Sequence, residues 1–352
     1  MTAAPGTRRI AAAAAIDFAA ALLSKHGVSE PAAREVAADL VASELDGIAS
    51  HGLMLLPMYL DRLAAGSVSP KAEGRIVSEN AGAVVYDAEN GLGQVTARRC
   101  VALAVARAKT HALGAVAVRN GFHFGTAGRW AAAIAKDECV GVVLCNTRPL
   151  MPPTGGAERL VGNNPIAIAA PSAGGEPLVV DLALSAAAMG KIRMAEAAGD
   201  AIPLGWAADA QGAPTADPAA AIKGMLLPAA GPKGFGLAMM IDLLAGGLSS
   251  GAVGSDVRPL YGDPKLPYAC AHYFLAIDVA AFRPVVDFAA VVEALTTRVR
   301  SSKPAPGVDR VLAPGDPALA ARQQAEGFVT LERATVTALE TAGAKHAIPL
   351  PA

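Results

Sequence analysis

No apolar run in this chain approaches the ~18 residues that would span a bilayer, although 53% of its residues are hydrophobic. Alanine supplies much of that content, so the apolar surface comes in small units. The N-terminus is the one tempting stretch, with Arg8-Arg9 followed by Ile10 and a row of alanines. Asp17 interrupts it, Lys25 and His26 close it, and apolar residues continue at helical spacing through Leu22 and Leu23. This reads as an amphipathic helix rather than a signal peptide. Charge imbalance is also missing: 30 basic residues stand against 31 acidic ones. Nothing in that balance calls for nucleic acid or an anionic membrane as a partner. Cysteine pairing is absent too. Cys100, Cys139, Cys145 and Cys270 form no C-x-x-C motif. They read as buried reduced thiols of a cytoplasmic protein, and no metal-ligand set is expected.

Several catalytic signatures are missing as well. No G-K-[ST] motif supports nucleotide hydrolysis. Ser50 and His51 are adjacent, but no nearby acid completes a nucleophilic triad. Gly91-Leu-Gly-Gln-Val-Thr96 begins like a dinucleotide-fold fingerprint, yet Thr96 replaces the third glycine and no acid follows about twenty residues on to hold a ribose. A Rossmann fold is therefore rejected, and those glycines are read as loosening a helix entrance.

What is present is a helical start followed by an alternating middle. At 352 residues the chain has room for two domains. Residues 10 to 66 predict three helices. The second is announced by Ser29-Glu-Pro at a helix start, and the third carries Pro57 inside it, which predicts a kink. From about residue 75 the pattern predicts strands around 75–78, 83–87, 115–118, 140–144, 166–169, 177–181 and 271–278. Helices are expected over about 91–109, 127–136, 186–198, 237–248, 285–300 and 331–342. Residues 199 to 232 read as a surface excursion, and 303 to 317 as a connecting loop.

The central motif is Asn120-Gly-Phe-His-Phe-Gly125, on a turn between a strand and a helix. Its glycines let the backbone bend and approach a ligand, and histidine titrates nearest neutrality. Those six residues alone leave two readings open for His123: proton transfer, or satisfaction of local backbone groups. His51 lies in the tight turn Ala49-Ser-His-Gly-Leu53, where its plain reading is a polar histidine at a helix start. Cys145-Asn-Thr-Arg-Pro-Leu-Met-Pro-Pro-Thr-Gly-Gly156 is a loop too long for a simple connection, the kind that often carries function. Asp181 ends a strand, where it either faces a ligand crevice or caps the next helix. Lys233 opens a helix after glycine, a place that favours an anion, or is simply solvated.

Together these pieces resemble the type-2 malate/L-lactate dehydrogenase family, whose relatives include ureidoglycolate and sulfolactate dehydrogenases, diketogulonate reductases and cyclic-imine 2-carboxylate reductases. The resemblance covers nearly the whole chain in order. It runs from Ser50-His51-Gly52 through Asn120–Gly125, Asn146-Thr-Arg-Pro-Leu-Met151, Gly162-Asn-Asn-Pro-Ile166 and Val180-Asp-Leu-Ala-Leu-Ser185 with Gly190-Lys-Ile. It continues with Gly234-Phe-Gly-Leu, His272-Tyr-Phe-Leu-Ala-Ile-Asp278 and Pro314-Gly-Asp316.

The resemblance implies an α/β fold with a non-Rossmann NAD(P)-binding domain built on a mixed sheet, over residues 73–282. It also implies a helical domain made of residues 1–72 and 283–352, and a homodimer with no nucleic-acid or membrane partner. It implies hydride transfer between NAD or NADP and a small 2-hydroxy or 2-oxo acid, with His123 handling the proton and His51 beside nicotinamide and substrate. By the same carry-over, Gly125, Thr126, Thr147, Asp181, Leu182, Ala183, Ser185, Lys233, Pro314, Gly315 and Asp316 fall where the family contacts its cofactor. Ser50, Leu55, Arg148 and Asn163 fall at the substrate.

Three positions depart from the family pattern. Leu55 stands where many members carry a carboxylate-binding arginine, Asn163 where threonine is usual, and Pro232 where histidine is usual. One helical turn separates His51 from Leu55, which predicts a shared face and an apolar pocket wall. Arg148 is the candidate replacement cation. A cyclic-imine reductase is the alternative within the class. A small-molecule binder without turnover, or an isomerase or lyase using His123 as a base, are the alternatives outside it.

Overall fold

The computed structural model describes residues 7–352. The chain opens with a short strand, β1 (Arg8–Ala11), and only then enters α1 (Ala12–Lys25). The alanine run was expected to be helical from Ile10. Instead Ile10 is fully buried in a strand pairing, because β1 lies antiparallel to a strand near the other end of the chain, β12 (Phe328–Leu331). Next come α2 (Glu30–Leu45), two single 3-10 turns over Ala49–His51 and Leu53–Leu55, and α3 (Leu56–Ala65). Ser29 takes the N-cap position of α2, but its hydroxyl makes no cap hydrogen bond. Pro57 falls in the first turn of α3, where its missing N–H costs nothing, so the expected kink does not occur.

β2 (Arg75–Asn80), β3 (Ala83–Asp87), α4 (Gly93–His111), β4 (Leu113–Gly121), α5 (Ala127–Lys136), β5 (Cys139–Cys145), β6 (Ile166–Ala170) and β7 (Leu178–Leu182) follow. After α6 (Met189–Ala198), β8 (Ala207–Ala208), β9 (Pro214–Thr215), α7 (Pro218–Lys223) and β10 (Met225–Leu226) form a small unit. Then come α8 (Pro232–Asp242), which runs into a π-helical turn over Leu243–Gly247, β11 (Cys270–Asp278), α9 (Val285–Arg300), α10 (Asp316–Ala325), β12 and α11 (Arg333–Ala344).

The main sheet has seven strands in the order β2-β3-β4-β11-β5-β6-β7. Only β3 and β4 run parallel, joined through α4, and every other neighbouring pair is antiparallel. A sheet of this kind is mixed, not the doubly wound parallel sheet of a Rossmann domain. Alternation along β5 shows how it is covered. Val143 packs with Ala104 of α4 and Trp130 and Ile134 of α5, while Leu144 packs with Ile192, Ala238 and Ile241 beneath α6 and α8.

The excursion expected over 199–232 is more than surface: Ile202, Ala207, Ala221 and Leu226 are buried in that second core. A third core is helical. Phe18, Leu22, Val36, Leu40, Leu56 and Tyr59 pack with Val329, Leu331, Val336 and Leu339, so the two ends of the chain share one apolar interior. α9 packs elsewhere, beside the loop after β6, where Ala173 N–H donates to the Ala289 carbonyl and Ser172 to Glu293. α10 and β12 were not expected, and α10 begins at Asp316 inside the predicted loop region. No helix among the described residues is long and apolar enough to cross a membrane.

Candidate active site

His123 sits where β4 ends and α5 has not yet begun. Phe122 and Phe124 on either side are buried and anchor the turn, while His123 is half-buried. Gly93, at the first position of α4, brings the backbone of that helix against the turn: a Cβ there would lie 2.2 Å from the His123 carbonyl oxygen. The Gly-Leu-Gly stretch therefore serves close packing and is not a looser helix entrance. Gly125 has φ +84°, and a Cβ on it would meet the Asp39 carboxylate at 2.5 Å, so only glycine fits.

Tyr59 of α3 reaches the turn. Its hydroxyl lies 2.7 Å from His123 Nδ1 and 3.0 Å from the His123 carbonyl oxygen. Gln94 Nε2 donates to the same hydroxyl at 3.0 Å. A hydroxyl has one proton and two lone pairs. All three contacts are satisfied when Tyr59 donates to the His123 carbonyl and accepts from Gln94 and from Nδ1–H. Gly125 N–H also approaches Nδ1, at 3.4 Å, which would need that nitrogen unprotonated, and the much shorter Tyr59 contact outweighs it. Nδ1 then keeps its proton in both charge states, and Nε2 is the nitrogen that gains and loses one. Burial, then the neighbouring His51 and His272, holds the His123 imidazole well below the usual histidine value. Burial pushes the Tyr59 phenol well up, so it stays a neutral hydroxyl.

His51 lies beside His123, ring centroids 5.4 Å apart and planes tilted by 31°. Ser50 Oγ is 3.0 Å from His51 Nδ1 and sets that ring. Burial lowers the His51 imidazole too. Behind this turn, Glu44 accepts a hydrogen bond from Leu53 N–H at 2.7 Å, and burial raises its carboxyl to about 7.

Leu55 does not behave as the helical argument expected. Gly52, in extended conformation, interrupts the path between the two 3-10 turns, and Leu55 is only 1% exposed within the helical core. It is a packing residue first.

Thr147 and Asn163 come together across the loop after β5. Thr147 Oγ1 donates to Asn163 Oδ1 at 3.0 Å, and Thr147 N–H to Asn164 Oδ1 at 2.9 Å. Arg148 next to them is half-buried and has no ion-pair partner among the described residues. Burial, then Arg159 and Arg193 nearby, lowers its pKa, as expected of a cation lacking an anion.

Three residues after His123, Thr126 enters the wall of a cleft of about 590 Å³. Thr126, Asp181, Pro314, Gly315 and Asp316 line it together. Asp181 caps a helix, but not the next one: its Oδ2 accepts from Gly128 N–H at 2.8 Å, in the first turn of α5. Gly315, with φ +88°, starts α10, and Asp316 grips Arg300 of α9 through two oxygens at 2.7 and 3.1 Å. His123, His51, Gly125, Leu182, Ala183, Ser185, Thr147 and Lys233 are not among the cleft's lining residues. Ser185 turns inward to the Ala187 carbonyl, and Lys233 is exposed in the first turn of α8.

The sequence reading missed Tyr59, Gln94 and the cleft cations Arg98, Arg129, Lys136 and Arg322. A polar aromatic eight residues after His51 was the one available signal for Tyr59. The cations are dispersed along the chain and had none.

The cleft suits a dinucleotide on its own features. Its volume lies within the range of small-molecule sites. It offers guanidinium and ammonium groups for phosphates and apolar walls from Trp130, Leu178 and Val179. Residues 10–340 match the family described as malate/L-lactate dehydrogenase. The chain belongs to that family.

Among its relatives, the (2R)-3-sulfolactate dehydrogenase (NADP(+)) of Chromohalobacter salexigens is 40% identical over 277 residues, 78% of this chain and 83% of the relative. The ureidoglycolate dehydrogenase (NAD(+)) of Escherichia coli O157:H7 is 33% identical, covering 83% of each chain. The solved sulfolactate dehydrogenase of Methanocaldococcus jannaschii superposes with a TM-score of 0.92 at 32% identity, covering 97% of this chain and 98% of that one. The Δ1-piperideine-2-carboxylate reductase of Pseudomonas syringae gives 0.84 at 30% identity, covering 95% and 99%. The protein is an NAD(P)-dependent oxidoreductase of the malate/L-lactate dehydrogenase family.

Proposed function

We propose that the protein interconverts a small 2-hydroxy acid and its 2-oxo acid, with His123 exchanging the proton at the substrate oxygen. The nicotinamide, when bound, supplies or accepts the hydride at C4. The chain's own residues do the rest. Tyr59 holds Nδ1 protonated, so Nε2 gives a proton to the forming hydroxyl in reduction and takes it back in oxidation. Ser50 orients His51, which forms the facing wall. Arg98, Arg129 and Lys136 hold the cofactor phosphates, with the Thr126 hydroxyl beside them. Thr147 and Asn163 shape the floor, and Arg148 grips the substrate carboxylate. The observation that carries this reading is the 2.7 Å contact of Tyr59 with His123 Nδ1, which commits the opposite ring nitrogen to the substrate.

A second reading, reduction of a cyclic imine acid, draws support from the fold shared with the Δ1-piperideine-2-carboxylate reductase of Pseudomonas syringae.

The helical core shared by both chain ends supports a helical domain of residues 1–72 and 283–352 and an α/β domain of 73–282, with α9 bridging them. Exposed Phe282, Val286, Val291 and Leu295 on and before α9 support a homodimer. Four unpaired thiols support a cytoplasmic location.

The test is direct. NADH and NADPH are each titrated by fluorescence, then pyruvate, other 2-oxo acids and a cyclic imine acid are added. Binding followed by oxidation with an oxo acid supports the main reading, and oxidation with the imine alone supports the second. Binding with no turnover on any of them favours a lapsed binder. Failure to bind either cofactor rejects the proposal.

A further inference from the structure

Behind the catalytic turn lies a set of side chains that the reaction does not use. Cys145 ends β5, and Cys270 and His272 stand on β11, the neighbouring strand, where His272 pairs directly with Cys145. Cys270, two residues earlier on the same strand, lies just beyond a register shift in the ladder. All three are buried, and their ligand atoms lie within 4.8 Å of one another. Cys270 Sγ is 3.3 Å from His272 Nε2.

The spacing matches a metal's demands. With Zn–S near 2.3 Å and Zn–N near 2.0–2.1 Å, tetrahedral angles put neighbouring ligand atoms about 3.6–3.8 Å apart. The triad therefore needs small adjustments of side chains already in place. The Asn146 carbonyl oxygen, 3.2 Å from Cys145 Sγ, is a further donor within reach.

A second observation is independent of the spacing. His272 is fully buried, yet its Nδ1 has no hydrogen-bond partner. An unpaired buried polar atom is costly, and a metal-bound imidazole has its tautomer fixed by what its other nitrogen does. Nε2, by contrast, meets Cys270 Sγ; a thiol donating to it leaves the proton on Nδ1 and aims the Nε2 lone pair into the sulfur cluster. The ring is also held in one plane by Phe124, stacked at 4.1 Å between centroids and 3° between planes. Two sulfurs and one imidazole in a dry pocket select soft ions over magnesium, calcium or manganese.

We propose that Cys145, Cys270 and His272 bind one thiophilic d10 ion, zinc(II) or copper(I), inside the sheet. Both thiols lose their protons to solvent as the ion binds. The ion ties β5 to β11 directly behind Phe124 and at the root of the Asn146–Thr147 loop. Because the site is enclosed, it is loaded as the chain folds.

The experiment uses the full chain, expressed and purified in parallel with added zinc(II) or, anaerobically, copper(I), under reductant and after desalting. Metal per chain is measured by elemental mass spectrometry. Wild type and Cys139→Ser, altered at the far end of β5, should retain about one ion per chain, and Cys145→Ser and Cys270→Ser less than about a tenth of that. Which of the two metals is retained identifies the ion. A measurement on wild type alone guards against misfolded variants: protein produced with cobalt(II) should show thiolate-to-cobalt charge-transfer absorption. Wild type that retains none of the three ions overturns the proposal. So does retention in Cys145→Ser and Cys270→Ser equal to wild type, or bound cobalt without a thiolate band.

Discussion

The Tyr59 hydroxyl stands 2.7 Å from Nδ1 of His123, sixty-four residues further along the chain, and is itself held by Gln94. Loss of that contact leaves Nδ1 without its acceptor and frees the ring to choose its tautomer. Tyr59→Phe should lower kcat by about 10–100-fold, the range expected for a hydrogen bond to a group that becomes charged. The cofactor dissociation constant should hardly change. Stopped-flow turnover together with cofactor fluorescence checks both, and an unaltered kcat would remove Tyr59 from the mechanism.

His123→Ala should retain cofactor binding and lose the ~10²–10⁴-fold supplied by a general acid or base. Near-normal turnover would mean that another group moves the proton.

The low pKa of His123 fixes the sign of its pH dependence. At neutral pH the imidazole is unprotonated, so it acts as a base in the oxidation direction. Oxidation, followed as kcat/KM, should stay level through pH 7 and fall only below the usual histidine value of about 6.5. Reduction should gain as pH falls over the same interval. Parallel profiles in both directions would contradict this assignment.

Glu44 makes a separate prediction about stability. Its folded-state pKa, about 7, lies above the ordinary 4.5. Between those values the folded state binds more protons than the unfolded one, so stability falls as pH rises through the interval. Glu44→Gln keeps an acceptor for Leu53 N–H and has no charge to bury. Its Tm should exceed that of wild type above pH 7 and converge with it below pH 4.5. Thermal melts across that range decide, and a difference that does not vary with pH counts against it.

Two cations separate the cleft from the predicted phosphate contact at α8. Arg129 lines the cleft and pairs with Asp39, while Lys233 is exposed outside it. Arg129→Ala should weaken cofactor binding about tenfold or more, as loss of a charge-assisted hydrogen bond does. Lys233→Ala should leave that affinity near wild type. The reverse order would return Lys233 to the cofactor.

Arg148→Ala should raise KM sharply for an acid substrate and little for its amide. The ratio of kcat/KM for acid over amide, compared between wild type and mutant, reads the carboxylate contact directly. An unchanged ratio would show that another group holds the carboxylate.

Much of this protein is legible in short stretches of its chain. Strand periods and the glycine-flanked His123 turn gave the alternating middle, and the order of short motifs gave the family resemblance, which implied the mixed sheet and the paired histidines. Those signals are local, since each lies within about ten residues of backbone whose preferences act before any packing. Packing between distant segments decided the rest. β1 is a strand because β12 lies beside it, and the alanines that follow are left to form α1. Leu55 left the predicted pocket face because Gly52 breaks the helical path and the helical core takes its side chain. Tyr59 met His123, Asp181 capped α5, and Cys145 met Cys270 and His272 only when helices and strands far apart in the chain came together. Such contacts follow from the register of the whole sheet and the docking of helices on it, and neither quantity is written in any one stretch of residues.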